Sequence, residues 1–210
     1  ELVTVKKHGS LISSVAFSPD GQRIVTGGGY LIFSPEGVDQ IHVGGGDGTA
    51  KVWRVSNEKE MLTLNGHTDH VYPVAFSRDS QRIVTGSQDR TAKVWDAATG
   101  RVLRTLSGHA DAIHAVAVSP DDQRIVTGSW DGTASVWDLA SGESLFTVRH
   151  NDNTMIMSVA FSPDGKHIAT AAQDPVVRLW DAASGEYQLT LKGESGWIWS
   201  VAFSPDGQQI

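Results

Sequence analysis

The sequence predicts an all-β fold built from repeated blades of four short antiparallel strands. Three observations carry this prediction: a fixed repeat period, strand-like alternation within each repeat, and tight turns between the strands. Trp53, Trp95 and Trp137 recur every 42 residues, and Trp180 follows 43 residues later. A period of this length is typical of a repeat architecture in which each unit buries its apolar face only by stacking on its neighbours.

The elements of one repeat are clearest in the second copy. Val71–Phe76 alternates as a first strand, and 77–80 has the composition of a tight turn. Arg82–Ser87 is a second strand, a third ends at Trp95, and 102–106 is a fourth. The turn reads Ser-Pro-Asp-Gly in most other copies. This composition favours a tight turn, because Pro fixes φ while Asp and Gly tolerate the remaining turn conformations. Four such strands in about 40 residues describe a propeller blade.

Composition limits the classes of function. The 210 residues carry a formal net charge of -7 and no cysteine. The negative charge disfavours nucleic acid as a partner. The lack of cysteine excludes disulfides and thiolate metal sites and fits a reducing compartment, so we expect a cytoplasmic location. No apolar run reaches the length of a membrane span, and we expect neither a membrane partner nor a cofactor.

Short dipeptides at constant spacing carry a family resemblance. Gly66-His67 and Gly108-His109 open their repeats, and a Trp-Asp pair closes three of them at 95–96, 137–138 and 180–181. This pattern resembles the WD-repeat family over essentially the whole chain, and the near-identical copies resemble its bacterial members most.

The resemblance implies a WD-repeat β-propeller with about five blades in these residues. That number is smaller than the family usually has, so we expect part of a larger propeller that needs further blades or self-association to close. The expected blades cover about 8–64, 65–106, 107–148 and 149–191, with a partial blade 192–210 completed by 1–7.

Two repeats contain a hydroxyl, an imidazole, a carboxylate and an indole at the positions of the family's hydrogen-bonded tetrad. These residues are His67, Thr85, Asp89 and Trp95 in repeat two, and His109, Thr127, Asp131 and Trp137 in repeat three. A Thr/His/Asp set could also belong to a hydrolase. Because the set recurs in successive blades and ends on an indole N–H, we expect a buried structural network and no catalytic residue.

The tetrad pattern lapses in the outer repeats. Repeat four keeps Thr170, Asp174 and Trp180, but its histidine, His150, stands one place early. In repeat one, an insertion over 29–46 separates Thr26 from the expected aspartate. We therefore expect these blades to be less rigid. The insertion predicts an extended hairpin, either a lengthened loop packed on a neighbouring blade, a partner-binding flap, or the remnant of a lost repeat.

Variable positions in the copied framework predict a partner-binding face. The position after the first apolar residue of each inner strand opens onto the channel mouth in the WD-repeat family. The position before each turn aspartate faces the same side. Together the two positions read Ser13, Tyr72, His114, Met157, Trp199, Gly46, Gln88, Trp130 and Gln173. An exposed Trp at a turn tip beside such a mouth resembles the anchor set of an interaction hot spot.

The leading hypothesis is therefore a non-catalytic scaffold or sensor module that binds a protein or peptide on this face, with Trp130 and Trp199 as anchors. The alternative for the same side chains is that they plug the channel or pack between blades. A lectin that stacks sugars on Trp130, Trp197 and Trp199 is the second hypothesis, although the repeats carry no accompanying set of polar sugar ligands. The histidines outside the tetrads show no ligand spacing, so no metal site is expected.

Overall fold

The computed structural model describes residues 12–28, 30–32, 42–44, 48–57, 59–150, 154–193 and 196–210. These residues form eighteen β-strands, and no helix occurs among them. The all-β prediction is confirmed. Because no helix is present in this part of the chain, no segment of it is a candidate membrane-spanning helix.

Sixteen strands form four antiparallel sheets of four, which are the predicted propeller blades. Blade one and its insertion contain β1 (Ile12–Phe17), β2 (Arg23–Gly28), β3 (Tyr30–Ile32), β4 (His42–Gly44), β5 (Thr49–Arg54) and β6 (Lys59–Asn65). Blade two contains β7 (Val71–Phe76), β8 (Arg82–Ser87), β9 (Thr91–Asp96) and β10 (Val102–Ser107). Blade three contains β11 (Ile113–Val118), β12 (Arg124–Ser129), β13 (Thr133–Asp138) and β14 (Ser144–Arg149). Blade four contains β15 (Ile156–Phe161), β16 (His167–Ala172), β17 (Val176–Asp181) and β18 (Tyr187–Lys192).

The insertion in blade one pairs with itself. Strands β3 and β4 form a separate two-stranded antiparallel sheet, with Leu31 opposite Val43. The blade-one sheet therefore has the order β1-β2-β5-β6. This pairing agrees with the hairpin interpretation, whose turn lies outside the described residues.

The hydrophobic core lies between successive blades. The first strands of neighbouring blades contact one another in the order β1, β7, β11 and β15. Val25 and Val52 of blade one share a buried cluster with Val74 and Trp95 of blade two, and equivalent clusters join the later blades. Each blade thus buries its apolar face only against the next one, as the repeat period requires.

The close approach of blades explains a glycine at the same place in β2, β8 and β12. A Cβ atom on Gly128 would lie 2.6 Å from Ile156 Cγ2 and 2.9 Å from Val159 Cγ1 of the next blade. Blade four has Ala171 at the corresponding position.

Residues 196–210 cover the face of blade four that points away from blade three. They do not form the strand predicted at 199–203. Ile198, Val201 and Phe203 pack against the apolar face of β16 and β17. Val201 N donates to Ser158 Oγ at 3.2 Å, as Val74 N donates to Ser14 Oγ at 3.3 Å between blades one and two. The segment therefore occupies the place of an inner strand, but no second strand pairs with it within the described residues. The expected completion by residues 1–7 falls outside them.

Candidate functional site

The blade-two tetrad is a continuous chain of hydrogen bonds across the blade. Trp95 Nε1 donates to Thr85 Oγ1 at 2.8 Å, and Thr85 Oγ1 lies 2.7 Å from His67 Nε2. His67 Nδ1 lies 2.8 Å from Asp89 Oδ2. With Asp89 ionised, Nδ1 carries the proton and Nε2 accepts from the threonine hydroxyl, so every polar atom has a partner.

Blade three repeats this arrangement with almost the same distances. Trp137 Nε1 donates to Thr127 at 2.9 Å, and the ring of His109 bridges Thr127 at 2.7 Å and Asp131 at 2.9 Å. All eight tetrad residues predicted from the sequence are thus brought together in two sets of four.

Blade four closes the same network by a different route, which corrects the expected lapse. His150 Nδ1 lies 2.9 Å from Thr170 Oγ1, and Nε2 lies 3.1 Å from Asp174 Oδ1. The two ring nitrogens have exchanged roles because the histidine enters from one position earlier in the chain. Trp180 Nε1 completes the set by donating to Thr170 at 3.0 Å. In blade one, Trp53 Nε1 donates to Thr26 Oγ1 at 2.9 Å. The histidine that precedes this blade, His8, and the aspartate that follows the insertion, Asp47, lie outside the described residues.

The tetrad carboxylates are held in the ionised form. Burial raises the pKa of Asp89, but hydrogen bonds from His67 and Thr91 outweigh it and hold that pKa well below its usual range. The same balance lowers the pKa of Asp131. Burial lowers the pKa of His150, which favours its neutral form.

The residues predicted for the channel mouth are positioned by one recurring backbone bond. Gln88 N donates to His70 O, Trp130 N to Ala112 O and Gln173 N to Met155 O, at 2.9 to 3.0 Å. Each bond ties the turn after the second strand to the start of the first strand in the same blade. Gln88, Trp130 and Gln173 are therefore equivalent positions at one end of the blades; Gly46 lies outside the described residues.

Three aromatic side chains from two blades stack at this end. We call Tyr72, His114 and Trp130 the aromatic cluster. The rings of His114 and Trp130 are stacked with centroids 5.7 Å apart and an interplanar angle of 23°. Tyr72 lies 5.6 Å from His114 and 6.4 Å from Trp130. The Tyr72 hydroxyl donates to Gln88 Oε1 at 3.2 Å, which joins a fourth predicted residue to the group.

Exposure divides the predicted binding residues. Tyr72 and Met157 are buried, His114 and Trp130 are partly buried, and Trp199 is 48% exposed. Trp130 is thus more enclosed than a residue at a turn tip was expected to be. Its indole Nε1 is buried and has no hydrogen-bond partner among the described residues.

Some of the residues predicted for the channel mouth make contacts between blades. Ser13 Oγ donates to Val71 O at 3.0 Å, and His114 Nδ1 lies 3.4 Å from Met157 O. Burial lowers the pKa of His114. These contacts are of the kind that the packing alternative describes, so the cluster joins blades while His114 and Trp130 remain partly exposed.

A protein-family model matches the chain along nearly its whole length. The model for the WD domain, G-beta repeat matches residues 1–54, 58–96, 100–138, 142–181 and 185–210. The chain belongs to the WD-repeat family. WD repeats generally mediate protein–protein interactions. A search of curated protein sequences finds no match to the chain.

The WD repeats are offset from the blades. The match over 58–96 begins with β6, the outer strand of blade one, and continues through β7, β8 and β9 of blade two. The matches over 100–138 and 142–181 likewise begin with the outer strand of one blade and continue through three strands of the next.

The structure adds one exposed aromatic pair to the predicted face. Trp197 lies 5.6 Å from Trp199, at an interplanar angle of 53°. From the sequence alone, Trp197 is only a candidate sugar-stacking residue. No cluster of three or more His, Asp or Glu side chains suited to a metal ion occurs in the described part of the chain.

Proposed function

We propose that this WD-repeat chain is a non-catalytic interaction module that binds an extended peptide or a loop of a partner protein at its channel mouth. The aromatic cluster is the observation that carries the proposal. Its rings come from two adjacent blades, and the residues equivalent to Trp130 in blades two and four, Gln88 and Gln173, are not aromatic. Stacked aromatic side chains at such a junction supply a large, rigid contact area at low entropic cost.

The unpaired indole N–H of Trp130 supports a peptide as the partner. A buried donor without an acceptor costs free energy, and nearly all such groups in native proteins find a partner. A partner backbone supplies carbonyl oxygens at regular spacing. A partner carbonyl that reaches the Trp130 N–H removes the cost of leaving it unpaired.

The geometry of the tetrads supports a non-catalytic function. Thr85 and Thr127 are fully buried, so neither hydroxyl is available to a substrate. Each hydroxyl already accepts an indole N–H, whereas a nucleophile needs an exposed oxygen beside an oxyanion site.

A random dodecapeptide library displayed on phage tests the proposal. Peptides selected on the wild-type chain are synthesised, and their affinities are measured for wild type and for the Trp130→Ala, Trp199→Ala double variant. We expect Kd to rise at least about tenfold, since hot-spot truncation costs about 2 kcal/mol or more. Tyr187→Ala is the matched control, because Tyr187 is exposed but begins β18 at the other end of blade four.

Two results would contradict the proposal. If all selected peptides bind the double variant as tightly as wild type, the site lies elsewhere. If the wild-type chain selects no peptide but binds glycans on an array, and the double variant does not, then the aromatic residues serve a lectin.

A further inference from the structure

One rung of the blade-one sheet departs from the pattern of the other blades. In β2 and β5, Arg23 lies directly opposite Arg54. The same rung pairs a basic residue with an aspartate in every other blade: Arg82 with Asp96, Arg124 with Asp138, and His167 with Asp181. Like charges directly opposite each other in a sheet are destabilising, whereas opposite charges stabilise it.

Arg54 also cannot do what the aspartate does elsewhere. Asp96 Oδ1 accepts from Thr99 N at 2.7 Å and from Thr99 Oγ1 at 2.7 Å, which fixes the turn that follows. Asp138 and Asp181 make the corresponding bonds in blades three and four. Blade one therefore lacks this turn cap and has two arginines at a rung where each other blade has one basic residue and one aspartate. A local rule broken without a structural return is a mark of a functional position.

The side chain of Arg23 is held by blade two. Its guanidinium donates to Ala97 O at 3.0 Å and to Ser80 O at 2.5 Å, and it lies 5.5 Å from the ring centroid of Phe76. The guanidinium also forms an ion pair with Asp20 at 3.6 Å. The Arg54 side chain is exposed and has no ion pair or hydrogen bond with any residue in the described ranges.

The two arginines line an open groove of about 780 Å³ between blades one and two. Its apolar wall includes Met61, Val55 and Ala98. The acidic residue in the lining is Asp20, which accepts from Ser18 Oγ at 2.5 Å and from Gln22 N at 2.9 Å and forms an ion pair with Arg23 at 3.6 Å. The lining therefore carries one positive charge in excess, on a chain whose formal net charge is -7.

We propose that this groove, the Arg54 groove, binds an acidic peptide segment of a partner protein. A glutamate or aspartate carboxylate of the segment accepts from the Arg54 guanidinium. An adjacent apolar side chain packs on Met61. Arginine suits this task because its planar fork pairs with both oxygens of a carboxylate, and the groove volume is that of a site for several residues rather than for a single small ion.

The Arg54 groove is independent of the channel-mouth site. Arg23 begins β2 and Arg54 ends β5, whereas Gln88 and Trp130 follow the ends of β8 and β12. The two sites therefore lie at opposite ends of the blades, and one chain can hold two partner segments or two parts of one partner.

The peptide library described above tests the inference with one further variant. Arg54→Asp restores the residue type of the other three blades, so the fold should be kept and the melting midpoint should equal or exceed that of wild type. We expect the wild-type chain to select a class of peptides rich in Asp or Glu. For this class, Arg54→Asp should raise Kd at least about tenfold, because a charge-assisted bond becomes a repulsion, while the Trp130→Ala, Trp199→Ala variant should leave Kd unchanged.

Arg90→Asp is the matched control for charge. It changes the net charge by the same amount, Arg90 is exposed, and its φ of 69° is one that Asp tolerates. Binding of the acidic peptides should be unaffected by this variant and should weaken with added salt. Failure to select acidic peptides, or an equal loss of binding with Arg90→Asp, would overturn the inference. Displacement of the peptides by inorganic phosphate at their own concentration would also overturn it, because the groove would then be a site for small anions.

Discussion

Replacing His67 with alanine should lower stability without directly affecting a binding surface. The imidazole joins Asp89 to Thr85 inside blade two through bonds of 2.8 and 2.7 Å. Removing the imidazole affects Asp89 and Thr85 differently, and the consequence for Thr85 determines the expected loss of free energy of unfolding.

Asp89 loses little, because it still accepts from Thr68 N at 3.1 Å and from the backbone and hydroxyl of Thr91 at 2.9 and 2.6 Å. Thr85 is fully buried, and its hydroxyl proton is left without an acceptor. An unsatisfied buried donor costs about 1 to 3 kcal/mol, and we expect His67→Ala to reduce the free energy of unfolding by this amount. For a chain of this length, the melting midpoint should fall by about 2 to 4 °C for each kcal/mol.

Urea denaturation followed by tryptophan fluorescence measures the change. His167→Ala is the control, since His167 makes a comparable bond of 2.7 Å to Gln188 outside any tetrad. That variant should change stability by less than about 0.5 kcal/mol. A His67→Ala protein with an unchanged unfolding midpoint and a loss of peptide binding would show that His67 belongs to a binding site rather than to the framework.

Four further outcomes are expected. Gly128→Ala should cost about 1 to 3 kcal/mol in urea denaturation, because the new Cβ would meet Ile156 at 2.6 Å; an unchanged midpoint would mean that blades three and four can move apart. Phe17→Ser should reduce self-association in sedimentation velocity, since Phe17 is 63% exposed on β1; Leu145→Ser on β14 should not. Stability should fall as the pH drops below about 4, because the folded chain holds the pKa of Asp89 below its unfolded value and the unfolded chain then binds more protons; a flat profile from pH 5 to 3 would refute this. Replacing 29–46 with a short turn should leave the circular dichroism melting curve cooperative, because the insertion pairs with itself; an insoluble product would make it part of the core.

The fold could be predicted from the sequence because the signals are repeated. Alternating strands, Pro-Asp-Gly turns and a constant Trp spacing are local features that recur in each copy, so accidental agreement in one repeat is corrected by the others. The tetrads could be located for the same reason. His150 shows the limit of this logic: spacing alone marked its network as broken, yet a flexible side chain reaches the same partners from one position earlier.

The binding face could be predicted only in outline. Position in the repeat predicted that Trp130 and Tyr72 lie at one end of the blades. It did not predict that Trp130 packs inward and stacks on His114. The predicted strand at 199–203 failed because strand character depends on a pairing partner, which local sequence does not contain. The Arg23 and Arg54 rung was visible in the sequence only as an Arg in place of the usual Asp after Trp53, and its meaning required the cross-strand register.

Because the repeats are nearly identical, each position in one blade can be compared with the same position in the other blades. Some departures from the shared pattern are more informative than others. The displacement of His150 is fully compensated, since all of its hydrogen bonds are restored, and it therefore indicates no function. Trp130 and Arg54 are not compensated in this way: Trp130 leaves a buried N–H unpaired, and Arg54 replaces an aspartate that caps the following turn in the other blades. Blades two and four have Gln at the position of Trp130, and blades two to four have Asp at the position of Arg54. Because a ligand carbonyl can pair with the indole N–H and a ligand carboxylate can pair with the guanidinium, these two positions are where we expect a partner to bind.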